Sequence, residues 1–160
     1  FTGTAVQQVT SGGSHFNDIT VDKTGGSVKL LDPIDVNGAF NLDAGTFDAN
    51  GEDQNFAGHV TLADGTRYVK GGTLTLDGDL TFTDSRADAG DYNVGNVVIG
   101  ASPDTTDLGD DFYADSLLIN DGDFFITNGW DVYITDDITI AGERRAARLT
   151  RRAPAAGTRQ

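Results

Sequence analysis

The stretch "IDVNGAFNL" at residues 34–42 returns as "LTLDGDLTF" at residues 74–82. The letters differ, but both copies carry apolar side chains at every second position and share a central glycine, Gly38 and Gly78. Alternation with a period of two is the pattern of a β-strand that buries one face. A repeat at a fixed spacing indicates units that bury their apolar faces against their neighbours. This stretch therefore predicts a repetitive β fold.

A second match, between a later pair of segments, supports the same interpretation. The "NG" pair at 50–51 recurs at 128–129, and "VTLA" at 60–63 recurs as "ITIA" at 138–141. A unit of about 40 residues divides into two coils of about 20, which predicts an all-β, parallel β-solenoid (β-helix). A β-sandwich also produces many short strands with frequent turns, and it stays open as the alternative, with a small propeller behind it.

Composition limits the class of protein. The chain has 160 residues, enough for one domain with a real core, and it contains no cysteine and no methionine. It begins at Phe1, so we expect a mature product or an excised fragment. No apolar run approaches the ~20 residues that span a bilayer, so no membrane span is expected. Disulfides and cysteine-ligated metals are excluded.

Charge divides the chain into two predicted regions. All 25 acidic residues lie in 1–143 with only five Lys and Arg, whereas 144–160 has six Arg and no acid. The acidic region 1–143 is predicted to be the solenoid domain, and its charge argues against a nucleic acid partner. Residues 143–152 are good helix formers that end before Pro154. The basic tail 144–160 is interpreted as a helical cap, a cationic strap for a neighbouring subunit, or a flexible extension. The candidate assembly residues are Arg144, Arg145, Arg148, Arg151 and Arg152.

The stretch "HFNDITVDKTGGSVKLLDPIDVNGAFNLDAGTFDANG" at 15–51 resembles the repeats of secreted and surface-anchored bacterial parallel β-helix proteins. Autotransporter passengers and filamentous adhesins belong to this group. The resemblance is good over 15–83 and loose over 84–143, and the polar stretch 84–116 is expected to leave the coil as a loop. It implies an extracellular structural protein that builds or extends a surface fibre, sheath or adhesin stalk by stacking of like units. A calcium- or glycan-binding adhesion module is the alternative.

Acid-rich turns are the first candidate sites. Calcium prefers six to eight oxygen ligands from carboxylates and carbonyls. None of these turns matches a known calcium loop, and Asp-Gly is also ordinary turn chemistry. No cofactor is expected unless Ca²⁺ binds here. The candidate calcium ligands are Asp107, Asp110, Asp111, Asp115, Asp121 and Asp123.

Aromatic residues near these acids suggest a groove for a surface glycan. Phe112 and Tyr113 lie in the polar stretch. Trp130 has the parity of the inward residues of its repeat and is expected in the core, whereas Tyr133 points the other way. Outward threonines are expected to stabilise strands rather than to form an ice-binding array. These are Thr61, Thr73, Thr75, Thr81, Thr83, Thr135 and Thr139.

Catalytic motifs do not stand out. His15 and His59 are far apart and have no Ser or Cys partner in a recognisable motif, and no pair of carboxylates is singled out by its spacing. The chain is therefore expected not to be an enzyme, with a polysaccharide-active enzyme as the competing class.

Overall fold

The computed structural model describes residues 1–86, 92–100 and 103–142. Over these ranges the chain winds into a parallel β-solenoid of about six turns, with no helix. The predicted fold is confirmed. The sandwich and propeller alternatives are wrong because both are built from antiparallel strands.

The strands within the described ranges, in chain order, are β1 (Gln7–Val9), β2 (His15–Phe16), β3 (Ile19–Leu30), β4 (Ile34–Val36), β5 (Phe40–Asp48), β6 (Gln54–Phe56), β7 (Val60–Leu62), β8 (Arg67–Val69), β9 (Thr73–Leu76), β10 (Leu80–Asp84), β11 (Asn96–Ile99), β12 (Thr105–Leu108), β13 (Phe112–Ala114), β14 (Ser116–Ile119), β15 (Phe124–Ile126), β16 (Val132–Ile134) and β17 (Ile138–Ile140).

The coils have three sides. One side is a seven-stranded sheet that runs from β2 through β4, β6, β9, β11 and β14 to β17. The second side belongs to an eight-stranded sheet that ends at β15. The long strands β3 and β5 bend around a corner of this sheet, so their second halves form the third side with β1 and β8. In the C-terminal coils, β13 and β16 form the third side as a separate two-stranded sheet.

Inward side chains stack from coil to coil and form one continuous core. In the seven-stranded sheet, Val36, Phe56, Leu76 and Ile99 lie in register and are fully buried. The ring of Phe56 also stacks on Phe40 across the core, with the centroids 4.5 Å apart. Burial of each such side chain contributes about 1.5–3 kcal/mol. The alternating apolar pattern is therefore the direct record of which side chains face the core.

The predicted alignment of residues 34–42 with 74–82 matches the strand register in its first half and differs from it by two residues in its second half. Ile34 pairs with Gln54, which pairs with Leu74, so Ile34 and Leu74 stand two coils apart in register. On the next side, however, Val60 pairs with Phe82 rather than with Leu80. This displacement preserves the inward direction of every side chain, because it equals one period of the strand.

The match of 50–63 with 128–141 reflects one kind of turn, used at two different corners. Asn50 and Asn128 both adopt a left-handed backbone, with φ of 54° and 53°. Each side-chain amide donates to a carbonyl of the preceding coil, that of Leu30 or Leu108. The strands that follow are not equivalent, because β7 belongs to the eight-stranded sheet and β17 to the seven-stranded sheet. The interpretation of this match as a repeat of the coil is wrong.

The polar stretch 84–116 does not leave the solenoid as a whole, contrary to expectation. Strands β11, β12 and β13 lie within it; β11 and β12 pair with the coils on both sides, and β13 pairs with β16 of the following coil. Residues 87–91 and 101–102 lie outside the described ranges. Residues 143–160 also lie outside them, so the tail helix, the boundary at 143 and the five candidate arginines stay predictions.

A buried ion pair lies where the coils change length. The coil that joins Leu80 to its partner Thr106 is longer than the earlier coil that joins Phe40 to Val60. At the end of β10, Asp84 takes an inward position and is 5% exposed. The Arg86 guanidinium donates hydrogen bonds to the Asp84 carboxylate at 2.7 and 2.6 Å and another to the carbonyl of Tyr92, and the Arg86 backbone N–H also donates to Asp84. The charges are therefore buried together with their partners, as low-dielectric surroundings require.

Candidate functional site

Acidic residues at the corners connect successive coils. Their carboxylates accept hydrogen bonds from backbone N–H groups about one coil further along the chain. His59 has the same role, because its Nδ1 accepts from the N–H of Thr81 at 2.9 Å. These turns therefore satisfy backbone donors that the parallel strands leave unpaired at the corners. The carboxylate bonds join Asp18 to Ala39 (2.8 Å), Asp53 to Thr73 (2.7 Å), Asp79 to Thr105 (2.9 Å) and Asp111 to Asp131 (2.9 Å).

The candidate calcium ligands are spread over two coils. Asp107 lies in β12, Asp110 and Asp111 in the following turn, Asp115 after β13, and Asp121 and Asp123 in the turn after β14. Within the described ranges, no group of three or more acidic or histidine side chains is arranged to hold a metal ion. Calcium binding stays a prediction. The carboxylates accept hydrogen bonds from Asn128 (to Asp107), the Asp111 N–H (to Asp110) and the Asp104 N–H (to Asp123).

Asp115 anchors two distant coils. Its two carboxylate oxygens accept hydrogen bonds from the Lys70 Nζ at 2.7 and 2.6 Å, and Oδ1 also accepts from Asn93 Nδ2 at 2.6 Å. The ammonium group of Lys70 holds the pKa of the Asp115 carboxyl below its usual value. Because most of its acceptor positions are already used, Asp115 serves the solenoid rather than an external ligand.

Three tyrosines form a ladder on the third side. The rings of Tyr92 and Tyr113 stack at 5.0 Å, and those of Tyr113 and Tyr133 at 4.5 Å with an angle of 10° between the planes. Burial raises the pKa of Tyr113, and the Asp131 carboxylate raises that of Tyr133. Both faces of Tyr113 are covered by neighbouring rings, so this ring offers no flat platform for a sugar.

Phe112 is part of the core rather than of a surface groove. It is fully buried and packs edge-on against Phe82 and Phe125.

A shallow depression of about 290 Å³ lies elsewhere, beside Asp35 and Asn55 on the outside of the seven-stranded sheet. It is smaller than most pockets that enclose a small molecule. Binding of a surface glycan stays a prediction.

The last coil exposes a set of large apolar side chains, which we call the C-terminal end face. Trp130 is 44% exposed, so its expected place in the core is wrong. Ile138 and Ile140 have inward parity but are 44% and 48% exposed, because no described strand pairs with β17 on its far side. Single exposed apolar residues are ordinary, whereas a concentration of them in one region indicates an interaction surface. The end face consists of Trp130, Ile138 and Ile140, whereas Phe124, Ile126 and Tyr133 are exposed on outward positions of β15 and β16.

The end face is the feature that sequence reasoning missed. The outward apolar residues of the same coil did leave a signal, because "FFI" at 124–126 breaks the alternation and places Phe124 and Ile126 on the outward positions of β15. The exposure of Ile138 and Ile140 carried no such signal, because their pattern is that of any inward pair.

Comparison with known proteins returned no match, whether among family models, curated proteins or solved structures. The class that the fold itself defines is therefore the parallel β-solenoid, with acidic corners and an apolar end face. In the part of the chain that the structure describes, no helix is long and apolar enough to cross a membrane.

Proposed function

We propose that this chain is a non-enzymatic structural module of a secreted or cell-surface protein, of the autotransporter-passenger or filamentous-adhesin type. Its solenoid supplies a stalk or fibre segment that stacks on like units. The observation that carries this proposal is the C-terminal end face, with its exposed apolar side chains and unpaired strand edges. The repeat pattern at 15–51 supports the surface location.

The physical basis is the edge of the last coil. Strands β15, β16 and β17 each lie at the end of a sheet, so the backbone groups on their far side are not paired within the described chain. Such edges bind another strand unless charge, a bulge or a cover prevents it. Stacking a like coil on this edge satisfies the backbone groups and removes Trp130, Ile138 and Ile140 from water.

Self-association of the full chain tests the stacking. We expect sedimentation velocity to show concentration-dependent association, and negative-stain images to show particles longer than one solenoid. Ile138→Asp with Ile140→Asp should abolish both, because two charges then face the junction. Thr139→Asp is the matched control, since it adds a charge on the outward side of the same strand. A wild-type chain that stays monomeric at every concentration would refute the stacking.

The surface location needs a separate measurement. An antibody raised against the purified chain should label intact source cells or their culture supernatant. Labelling that appears only after the cells are broken would contradict the extracellular part of the proposal.

A further inference from the structure

One tyrosine differs from the others in its exposure. The chain contains four tyrosines, and all of them lie within the described ranges. Tyr68 is buried in the core, Tyr92 and Tyr113 are half-buried, and Tyr133 is 46% exposed. Tyr133 occupies the outward position of β16, at the last step of the tyrosine ladder. A reagent in solution therefore meets one exposed phenol per chain.

The chain also lacks the side chains that oxidants attack first. It contains no cysteine and no methionine, whose sulfur atoms are the common targets of oxidation in proteins. Exposed aromatic rings are the next most readily oxidised groups, and Trp130, at 44% exposed, is the nearest competitor of Tyr133. An oxidant that reaches the last coil is therefore not consumed by sulfur.

The surroundings of Tyr133 favour the loss of one electron and one proton from its phenol. The hydroxyl donates a hydrogen bond to Asp131 Oδ2 at 3.3 Å, and a carboxylate in this position accepts the proton as the ring is oxidised. From this contact, the single exposed phenol and the absence of sulfur, we infer that Tyr133 is a site of oxidative cross-linking. Hydrogen peroxide and a peroxidase join two copies of the chain there by one dityrosine bond.

The coupling balances in atoms and electrons. Each Tyr133 phenol gives one electron to the peroxidase and one proton, through the Asp131 carboxylate, to water. The two phenoxyl radicals form one carbon–carbon bond between the ring carbons next to the oxygens. The hydrogens on those two carbons then move to the oxygens, which restores both phenols. In total two hydrogen atoms leave the two copies, and one hydrogen peroxide takes them up to become two water molecules.

The ladder geometry directs this coupling to a second copy rather than to Tyr113. A new bond at an aromatic carbon lies in the plane of its ring, so two coupled rings meet edge to edge. Tyr113 and Tyr133 instead lie face to face, with their centroids 4.5 Å apart and 10° between their planes. The register of β13 with β16 holds them in this arrangement. Because Tyr133 points outward from the third side, the bond joins two solenoids side by side.

Oxidation of the purified full chain by a haem peroxidase and hydrogen peroxide tests the inference. We expect dityrosine fluorescence and a covalent dimer on a denaturing gel, with no larger species, because each chain offers one exposed phenol. Tyr133→Phe keeps the ring of the ladder without its hydroxyl and should abolish the dimer. Tyr113→Phe is the matched control, since it removes the neighbouring half-buried phenol and should leave the dimer intact.

Asp131→Asn tests the role of the proton acceptor. Coupling should be slower than in wild type at neutral pH, because the amide does not take the proton. The difference should disappear in alkali, where the phenol has already lost its proton. A wild-type rate at neutral pH would overturn the role assigned to Asp131.

Three results would overturn the cross-linking site itself. They are monomers alone under conditions that couple free tyrosine, an undiminished dimer in Tyr133→Phe, and oxygen added to Trp130 in place of dityrosine. The stacking-deficient chain, Ile138→Asp with Ile140→Asp, separates this inference from the proposed stacking. It should still form the covalent dimer, because Tyr133 lies outside the end face. Loss of the dimer in that chain would overturn the side-by-side bond.

Discussion

Replacement of Arg86 by Met should destabilise the solenoid severely. The guanidinium makes two hydrogen bonds to the Asp84 carboxylate and one to the Tyr92 carbonyl, and both charged side chains are 2% exposed. Removal of one partner from a buried pair leaves an uncompensated charge, which costs about 3–5 kcal/mol. With a urea dependence of about 2 kcal/mol per M, the midpoint of unfolding falls by roughly 2 M. Circular dichroism during urea titration measures this shift.

Two further variants separate the ion pair from general damage. Asp84→Leu with Arg86→Met removes both charges, and it should recover most of the lost stability because an apolar pair of similar volume replaces a buried ion pair at little cost. Lys29→Met is the control: its 3.9 Å contact with Asp48 is partly exposed, so it should cost less than about 1 kcal/mol. If Arg86→Met costs no more than Lys29→Met, the buried pair does not stabilise this coil and the reasoning fails.

Three other substitutions, one of them with a control variant, test the packing between coils and the effect of pH. Gly58→Ala should lower the free energy of unfolding by about 1–3 kcal/mol, because the new Cβ would lie 2.3 Å from a backbone oxygen of the preceding coil. Thermal unfolding measures this loss. Gly25→Ala is the control and should cost less, because its new Cβ would have contacts of 3.7 Å or longer. Burial raises the pKa of Tyr68 above its ordinary value of 10.0, so the unfolded chain loses this proton first and stability falls as pH rises above 10. Tyr68→Phe should therefore flatten the alkaline part of a stability-against-pH curve, and an unchanged slope would contradict the assignment. The pKa of Asp115 is lowered in the folded chain, so its contribution is complete above its unfolded pKa of about 3.9 and is lost as pH falls below that value. Because Lys70 and Asp115 are 43% and 27% exposed, Asp115→Asn should cost less than about 1 kcal/mol at pH 7, and the difference from wild type should vanish in acid.

Sequence alone predicted the fold because every coil of a solenoid needs the same local pattern of alternating side chains and turns. Side-chain parity and glycine- or asparagine-containing turns are local features, so they remain visible when the letters change. The register between coils is not determined by such local features. The pairing of Val60 with Phe82 depends on where the extra length of a coil is absorbed, and neighbouring strands with the same parity accept either alignment.

The candidate site was harder to predict for a related reason. The acidic turns were interpreted both as turn chemistry and as calcium ligands, and only the coil-to-coil hydrogen bonds of residues such as Asp111 show which backbone groups they serve. Exposure of Ile138 and Ile140 depends on what lies beyond the last strand, which no property of those two residues records.

The hydrogen bonds between successive coils also determine how the solenoid responds to tension. Backbone hydrogen bonds between parallel coils point along the axis, so a pull on the two ends loads one coil after another rather than all of them together. Hydrogen bonds at the corners, such as that from the Thr73 N–H to Asp53, join residues one coil apart. They break when the coil between those residues detaches. A detached coil of about 20 residues extends to roughly 70 Å, whereas it occupies about 4.8 Å of the folded rod. Each coil that detaches under load therefore lengthens more than tenfold, and it shortens again when it rewinds after the load is removed.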